Sequence, residues 1–152
     1  MSRTTFLLSL VSIVASGLQT SLADWPRFLG PNGNGIIAQD DAFNADWASY
    51  TPKALWSRQI GIGCSSFAIA GEKVFTLGNQ DNEDTVWCFD SESGKVIWKY
   101  TYDELKGAKY YTGGTSSTPT IDGDRVYTVS KQGKLLCFDI NSGKVLLSLI
   151  HI

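Results

Sequence analysis

Between residues 66 and 148 apolar and polar positions alternate in short runs, and turn-forming residues interrupt them at close intervals. β-Branched and aromatic residues mark the runs: Val126, Tyr127 and Val129, then Leu136 and Phe138. Alternation with period two, over four to eight residues, describes a strand with one face buried. Four strands are predicted over roughly 117–121, 125–130, 134–139 and 144–148. Turn signals fall between them: Asp122-Gly123, then Gln132-Gly133, then the five residues Asp139 to Gly143. The same plan runs from Ser66 to Lys99.

The two stretches are copies. CFDSESGKVIW (88–98) returns 49 residues later as CFDINSGKVLL (137–147). Upstream, Ser65, Ile69, Gly71, Val74 and Thr76 match Ser117, Ile121, Gly123, Val126 and Thr128, now 52 residues apart. The offset shrinks because GNQDNEDT in the first copy stands where the second has SKQG, so the first copy is expected to carry a longer polar loop. Within D-x-x-x-G, the carboxylates of Asp90 and Asp139 can accept from backbone N–H groups a little further on and fix a turn. Gly94 and Gly143 can take the positive φ needed to re-enter a strand. A four-stranded antiparallel sheet repeated about every 50 residues predicts blades of a β-propeller. A two-sheet sandwich could use such strands, but it would not call for the same phrase twice.

Composition fits this picture. Fifteen glycines, 12% aromatic and only 18% charged residues suit a β-rich chain with many tight turns. The net charge of −2 and the lack of a basic cluster argue against sequence-independent nucleic-acid binding. The first 23 residues carry one cation, Arg3, then an apolar run from Phe6 to about Leu18, then Ser21-Leu22-Ala23. This is the layout of a signal peptide cleaved after Ala23; the run is too short for the ~20 residues of a membrane span. A periplasmic or secreted protein of charge −3 (12 basic, 15 acidic) is expected, with no membrane anchor after cleavage.

The phrase C-x-D-x-x-x-G-K-x-x-W at 88–98 resembles the tryptophan-docking motif of the pyrroloquinoline-quinone (PQQ) type propeller repeat, with Cys88 where Ala is usual. The hairpins SSFAIAGEKVFTL and SSTPTIDGDRVYTV resemble the first hairpin of such a blade, and DWPRFLGPNGNG (24–35) resembles the lead of secreted bacterial members. The resemblance implies an all-β fold. It also implies a structural docking set of Cys88, Asp90, Gly94 and Trp98, repeated as Cys137, Asp139 and Gly143, in which each Trp docks on the neighbouring blade. Trp56 stands where the docking Trp of a preceding or closing blade would stand. The second copy departs from the motif by placing Leu147 where Trp belongs. A buried Trp hides about 150–250 Å², an upper bound of roughly 4–6 kcal/mol at ~25 cal/mol/Å², and Leu recovers only part of it.

The expected organisation is a signal peptide (1–23), a lead (24–53), an incoming strand (54–59), blades at 63–99 and 114–148, and a tail of doubtful origin (149–152). Because Ser148 to Ile152 fits no further blade and propellers use about 4–8 blades, the sequence is expected to be an N-terminal piece of a longer parent.

No catalytic constellation emerges. The serines at 65–66 and 116–117 lack a G-x-S-x-G setting, and the single histidine, His151, lies in the tail, so no Ser–His–Asp set can form. Asp81, Glu83 and Asp84 lack the spacing of a calcium loop and are expected in a solvated turn. PNGNG (31–35) and GIG (61–63) lack phosphate-loop spacing and are read as turns. Cys64, Cys88 and Cys137 include no C-x-x-C, so zinc is not expected, and Cys88 and Cys137 are read as small buried packing residues. The connector from Tyr100 to Gly114, with four tyrosines, is the candidate contact surface, since such loops line one mouth of a propeller; the alternative is a long connector that packs on its own blades. No cofactor, metal or nucleic-acid partner is expected. Two functions follow from the resemblance: an exported non-enzymatic scaffold binding envelope proteins through its inter-blade loops, similar in kind to the propellers of bacterial outer-membrane assembly, or the N-terminal part of a PQQ-dependent quinoprotein dehydrogenase, whose calcium-bound PQQ, Asp base and Cys–Cys pair have no match here.

Overall fold

The computed structural model describes residues 24–37, 46–108 and 112–150, so the signal-like segment and His151 lie outside the described residues. Eight strands follow in order: β1 (Ala68–Ala70), β2 (Lys73–Gln80), β3 (Glu83–Asp90), β4 (Val96–Asp103), β5 (Thr120–Asp122), β6 (Arg125–Val129), β7 (Leu135–Asp139) and β8 (Val145–Leu149). They form two four-stranded sheets, β1-β2-β3-β4 and β5-β6-β7-β8. Every pairing joins strands adjacent in sequence and is antiparallel, which is what short hairpin turns permit. The described residues contain no helix.

The copies match down to their irregularities. Both ladders slip register at the equivalent step, Cys88/Phe89 in one sheet and Cys137/Phe138 in the other. Alternate residues of each sheet point into one shared core. Phe75, Leu77, Val86, Cys88, Trp98 and Tyr102 of the first pack with Val126, Leu136 and Phe138 of the second. The sheets are therefore neighbouring blades joined by a common apolar seam, which is the arrangement of an all-β propeller.

Five expectations need correction. GNQDNEDT is not a loop. It is the far end of the β2–β3 hairpin, with a two-residue turn at Asp81-Asn82, where φ is 56° and 66°. Two consecutive positive φ values twist the chain the way the flanking strands twist, and Asp and Asn tolerate them best among non-glycine residues. Polar composition suggested solvent, yet Asn79 and Asp84 face each other across the ladder and are buried.

The longer hairpin also lengthens its neighbour. Because β3 begins at Glu83, β4 has a partner as far as Asp103, so Tyr100 and Tyr102 belong to a strand and not to the connector. Similarly, β8 continues to Leu149, opposite Leu135, one residue into the expected tail.

Residues 54–59 pair with no strand among the described residues. Their hold on the first blade is made by side chains, as described below. Nor is Gly61-Ile62-Gly63 a simple turn. Ile62 exchanges both backbone hydrogen bonds with Asn79 (2.8 and 2.9 Å), and the Cys64 N–H donates to the Thr115 carbonyl at 2.7 Å. At this crossing a Cβ on Gly78 would lie 1.8 Å from the Ile60 carbonyl oxygen, so only hydrogen fits.

Candidate functional site

The residues singled out by the repeated phrase assemble into two equivalent corners. In the first blade, Asp90 Oδ1 accepts from the Ser93 N–H at 2.8 Å and from the Ser93 hydroxyl at 2.5 Å, while the Gly94 N–H donates to the Asp90 carbonyl at 2.9 Å. In the second, Asp139 Oδ1 accepts from the Ser142 N–H at 2.8 Å and its hydroxyl at 2.6 Å, and the Gly143 N–H donates to the Asp139 carbonyl at 2.9 Å. Gly94 and Gly143 close the turns with φ of 64° and 68°, in the left-handed region that a side chain resists. Donation to the charged form holds both carboxyls below the ordinary carboxylate range, the serine hydroxyl and then the serine N–H being the chief causes.

Each corner receives an indole from the preceding unit. Trp98 of β4 donates Nε1–H to the Ile140 carbonyl at 3.0 Å and packs 5.7 Å from the Phe138 ring centroid. Trp56 does the same to the first blade, donating to the Ser91 carbonyl at 2.8 Å and packing 5.8 Å from Phe89. Ser91 and Ile140 are equivalent residues, as are Phe89 and Phe138. Arg58 adds a hydrogen bond from Nε to the Gly94 carbonyl, 2.7 Å. Cys88 and Cys137 lie buried behind the corners, and burial pushes the Cys88 thiol up to about 12. Leu147, at the position of the missing Trp, is exposed.

The opposite end of the blades carries a different surface. β2 leaves the corner end at Lys73 and reaches the Asp81-Asn82 turn, where the connector after β4 also lies. The connector is pinned to both blades. The Glu104 N–H donates to the Asn82 carbonyl (2.9 Å) and the Lys106 N–H to Asn82 Oδ1 (3.1 Å), while the Gln132 N–H of the second blade donates to Glu104 Oε1 (3.1 Å). Between these elements opens a cavity of about 540 Å³ whose lining includes Asp81, Glu83, Asp103, Glu104 and the exposed Leu105. Beneath it Asn79 Nδ2 donates to Asp84 Oδ1 at 2.7 Å and to the Glu104 carbonyl at 3.0 Å. Burial raises the Asp84 carboxyl above its ordinary value, against the lowering pull of Asn79. Burial and then the Asp84 charge raise the Tyr102 phenol too. Lys134 lies 4.6 Å from the Tyr102 ring centroid.

Asn79, Asp84 and Glu104 did not stand out in the sequence as structural residues. For the first two the signal was there: Asn79 continues the inward positions of Phe75 and Leu77, and Asp84 those of Cys88 and Val86. Tyr110 and Tyr111 lie outside the described residues. Among the described residues no group of three or more His, Cys, Asp or Glu side chains is placed to hold a metal, and no helix is long and apolar enough to cross a membrane.

Residues 106–151, spanning the second corner, match the family model described as outer membrane protein assembly factor BamB. The chain carries PQQ-like β-propeller repeats. Solved structures similar to it include a europium-containing methanol dehydrogenase, at 21% identity and a TM-score of 0.44 over 56% of this chain. BamB from Moraxella catarrhalis is similar at 20% identity and a TM-score of 0.41 over 61% of this chain. The matches cover 15% and 29% of those two chains, so this chain spans less than a third of either. A search of curated proteins found no match. In the PQQ-like repeat from β5 to β8, Asp139 and Gly143 form the corner that receives Trp98.

Proposed function

We propose that this chain contributes to an exported, non-enzymatic propeller scaffold that binds envelope proteins through the face carrying the Asp81-Asn82 turn and the connector. The observation that carries the reading is how the carboxylates are used. Asp90 and Asp139 are engaged in closing corners, and Asp84 is engaged by Asn79 and Tyr102. Open to solvent at the far end of the blades is a cleft whose lining includes the exposed carboxylates of Asp81, Glu83 and Asp103 and the exposed Leu105, with the connector pinned to both blades beside it. A polar rim and an apolar point of contact suit protein recognition. The description printed for the matching family model, an outer-membrane assembly factor, supports the same direction. Export rests on the signal-like layout of residues 1–23.

Two measurements test this. A photo-activated cross-linker at Leu105 should give discrete adducts with envelope proteins, whereas one at Val96, exposed near the corner end, should not. Equal labelling from both positions rejects the assigned face. Reduction of a dye acceptor by the protein supplied with PQQ, calcium and an alcohol would reject the non-enzymatic reading in favour of the quinoprotein dehydrogenase.

A further inference from the structure

The lead segment makes contacts that neither the corners nor the cleft explain. Trp25 exchanges both backbone hydrogen bonds with Ile69 of β1, 3.0 and 2.9 Å. The next residue, Pro26, accepts from the Ile121 N–H of β5 at 2.7 Å. Asp24 Oδ1 accepts from the Gly71 N–H at 2.8 Å. Ile69 and Ile121 are equivalent residues in the two blades, so consecutive residues of one segment bind the same position of successive blades.

The edge involved is the free one. β1 uses one side to pair with β2, where Ile69 stands opposite Val74, and Trp25 takes the other. In a propeller the first strand of each blade turns that edge toward the central channel. The approaches to β1 and β5 run side by side, with a parallel bridge between Gly63 and Thr115 and a 2.8 Å hydrogen bond from Ser65 to Thr115. The segment after Pro26 then folds back. The Gly30 N–H donates to the Arg27 carbonyl at 2.9 Å, Arg27 Nη2 donates to the Pro31 carbonyl at 3.0 Å, and Gly30 lies against the Trp25 ring so closely that a Cβ would be 2.7 Å away. The ring is thereby held over its own turn.

We infer that residues 24–26 are an intramolecular strap, locked by the turn at 27–31, that covers the channel-side edges of both inner strands and makes them open as one unit. An uncovered inner edge is a row of unpaired donors and acceptors open to strand addition. The strap removes that liability from two blades at once, and lifting it exposes both edges together.

Amide hydrogen exchange of the full chain tests the strap. In the wild type, across a series of low denaturant concentrations, the N–H groups of Ile69, Gly71 and Ile121 should share one opening equilibrium and one denaturant dependence. Independent behaviour of Ile121 overturns the inference. Gly30→Ala, which drives a methyl into the Trp25 ring, should lower protection at Ile69 and Ile121 in parallel by about tenfold or more. The corner amides of Gly94 and Gly143 should keep theirs. Loss at Ile69 with Ile121 unchanged, or no change at either, overturns it. Should the variant lose protection everywhere, the wild-type series decides alone.

Discussion

The indole of Trp98 lies across Gly143 of the next blade, so close that a Cβ on that glycine would sit 2.6 Å from ring atom Cδ2. Gly143→Ala should therefore combine the backbone cost of a left-handed alanine, roughly 1–2 kcal/mol, with overpacking of about 1–3 kcal/mol. Gly123 is the control. Its φ of 55° is similar, but a Cβ there meets nothing within 4 Å, so Gly123→Ala should show the backbone cost alone. Urea midpoints for the two variants measure the difference.

Removing the ring from the other side should be at least as damaging. Trp98→Ala deletes a side chain that is 8% exposed, packed between Phe75 and Phe138 and hydrogen-bonded to Ile140. Large-to-small core changes of this kind cost about 3–5 kcal/mol, a large share of the 5–15 kcal/mol that holds an ordinary domain together. Trp98→Leu should lose less. Chemical denaturation followed by circular dichroism ranks the three proteins.

The corner carboxylates give stability a dependence on acid. Asp90 and Asp139 are held below their ordinary value in the folded chain. The unfolded chain therefore takes up protons first as pH falls. Stability contributed by the corners is full above the ordinary carboxylate value and is lost on descending through it, from about pH 5 toward pH 2. The double variant Asp90→Asn, Asp139→Asn should flatten that part of a plot of melting temperature against pH.

Asp84 works with the opposite sign. Burial raises its folded value, so the folded chain keeps the proton that the unfolded chain releases, and stability from this group falls as pH rises through the ordinary carboxylate value of about 3.9. Asp84→Asn keeps an acceptor for Asn79 but has no charge to desolvate. Its stability relative to wild type should improve from pH 3 to pH 7, read by parallel thermal melts. A constant difference across that range would contradict the assignment.

Thiol chemistry separates the cysteines. Cys64 is exposed, whereas Cys88 and Cys137 are buried and the Cys88 thiol is held up to about 12. Iodoacetamide at pH 8 should label Cys64 in the native protein and the other two only in denaturant, as read by peptide mass.

Much of this was legible because it is local. Asp90 to Gly94 and Asp139 to Gly143 close turns with their own atoms, so five consecutive residues suffice to announce each corner. The Trp98 contact was legible through resemblance, since its acceptor, Ile140, lies 42 residues away. Asn79 and Asp84 escape a reading of the sequence because polar residues in a polar run point to solvent. Each is a buried polar side chain with a partner across the ladder, and the alternation of their neighbours pointed inward while their chemistry pointed outward. The crossing at Gly78 was illegible for another reason: what approaches it is the backbone of Ile60, and backbone leaves no trace in composition.

The corner contact also has a polarity. The first blade offers an indole, Trp98, on one flank and a socket for Trp56 on the other, and the two differ in shape, so a unit can follow another through this contact only in one sense. Successive units joined by such a head-to-tail contact are each turned by a similar fraction of a circle. Whether the circle completes is then a matter of division, fixed by the angle that Trp98 and Gly143 set between neighbours.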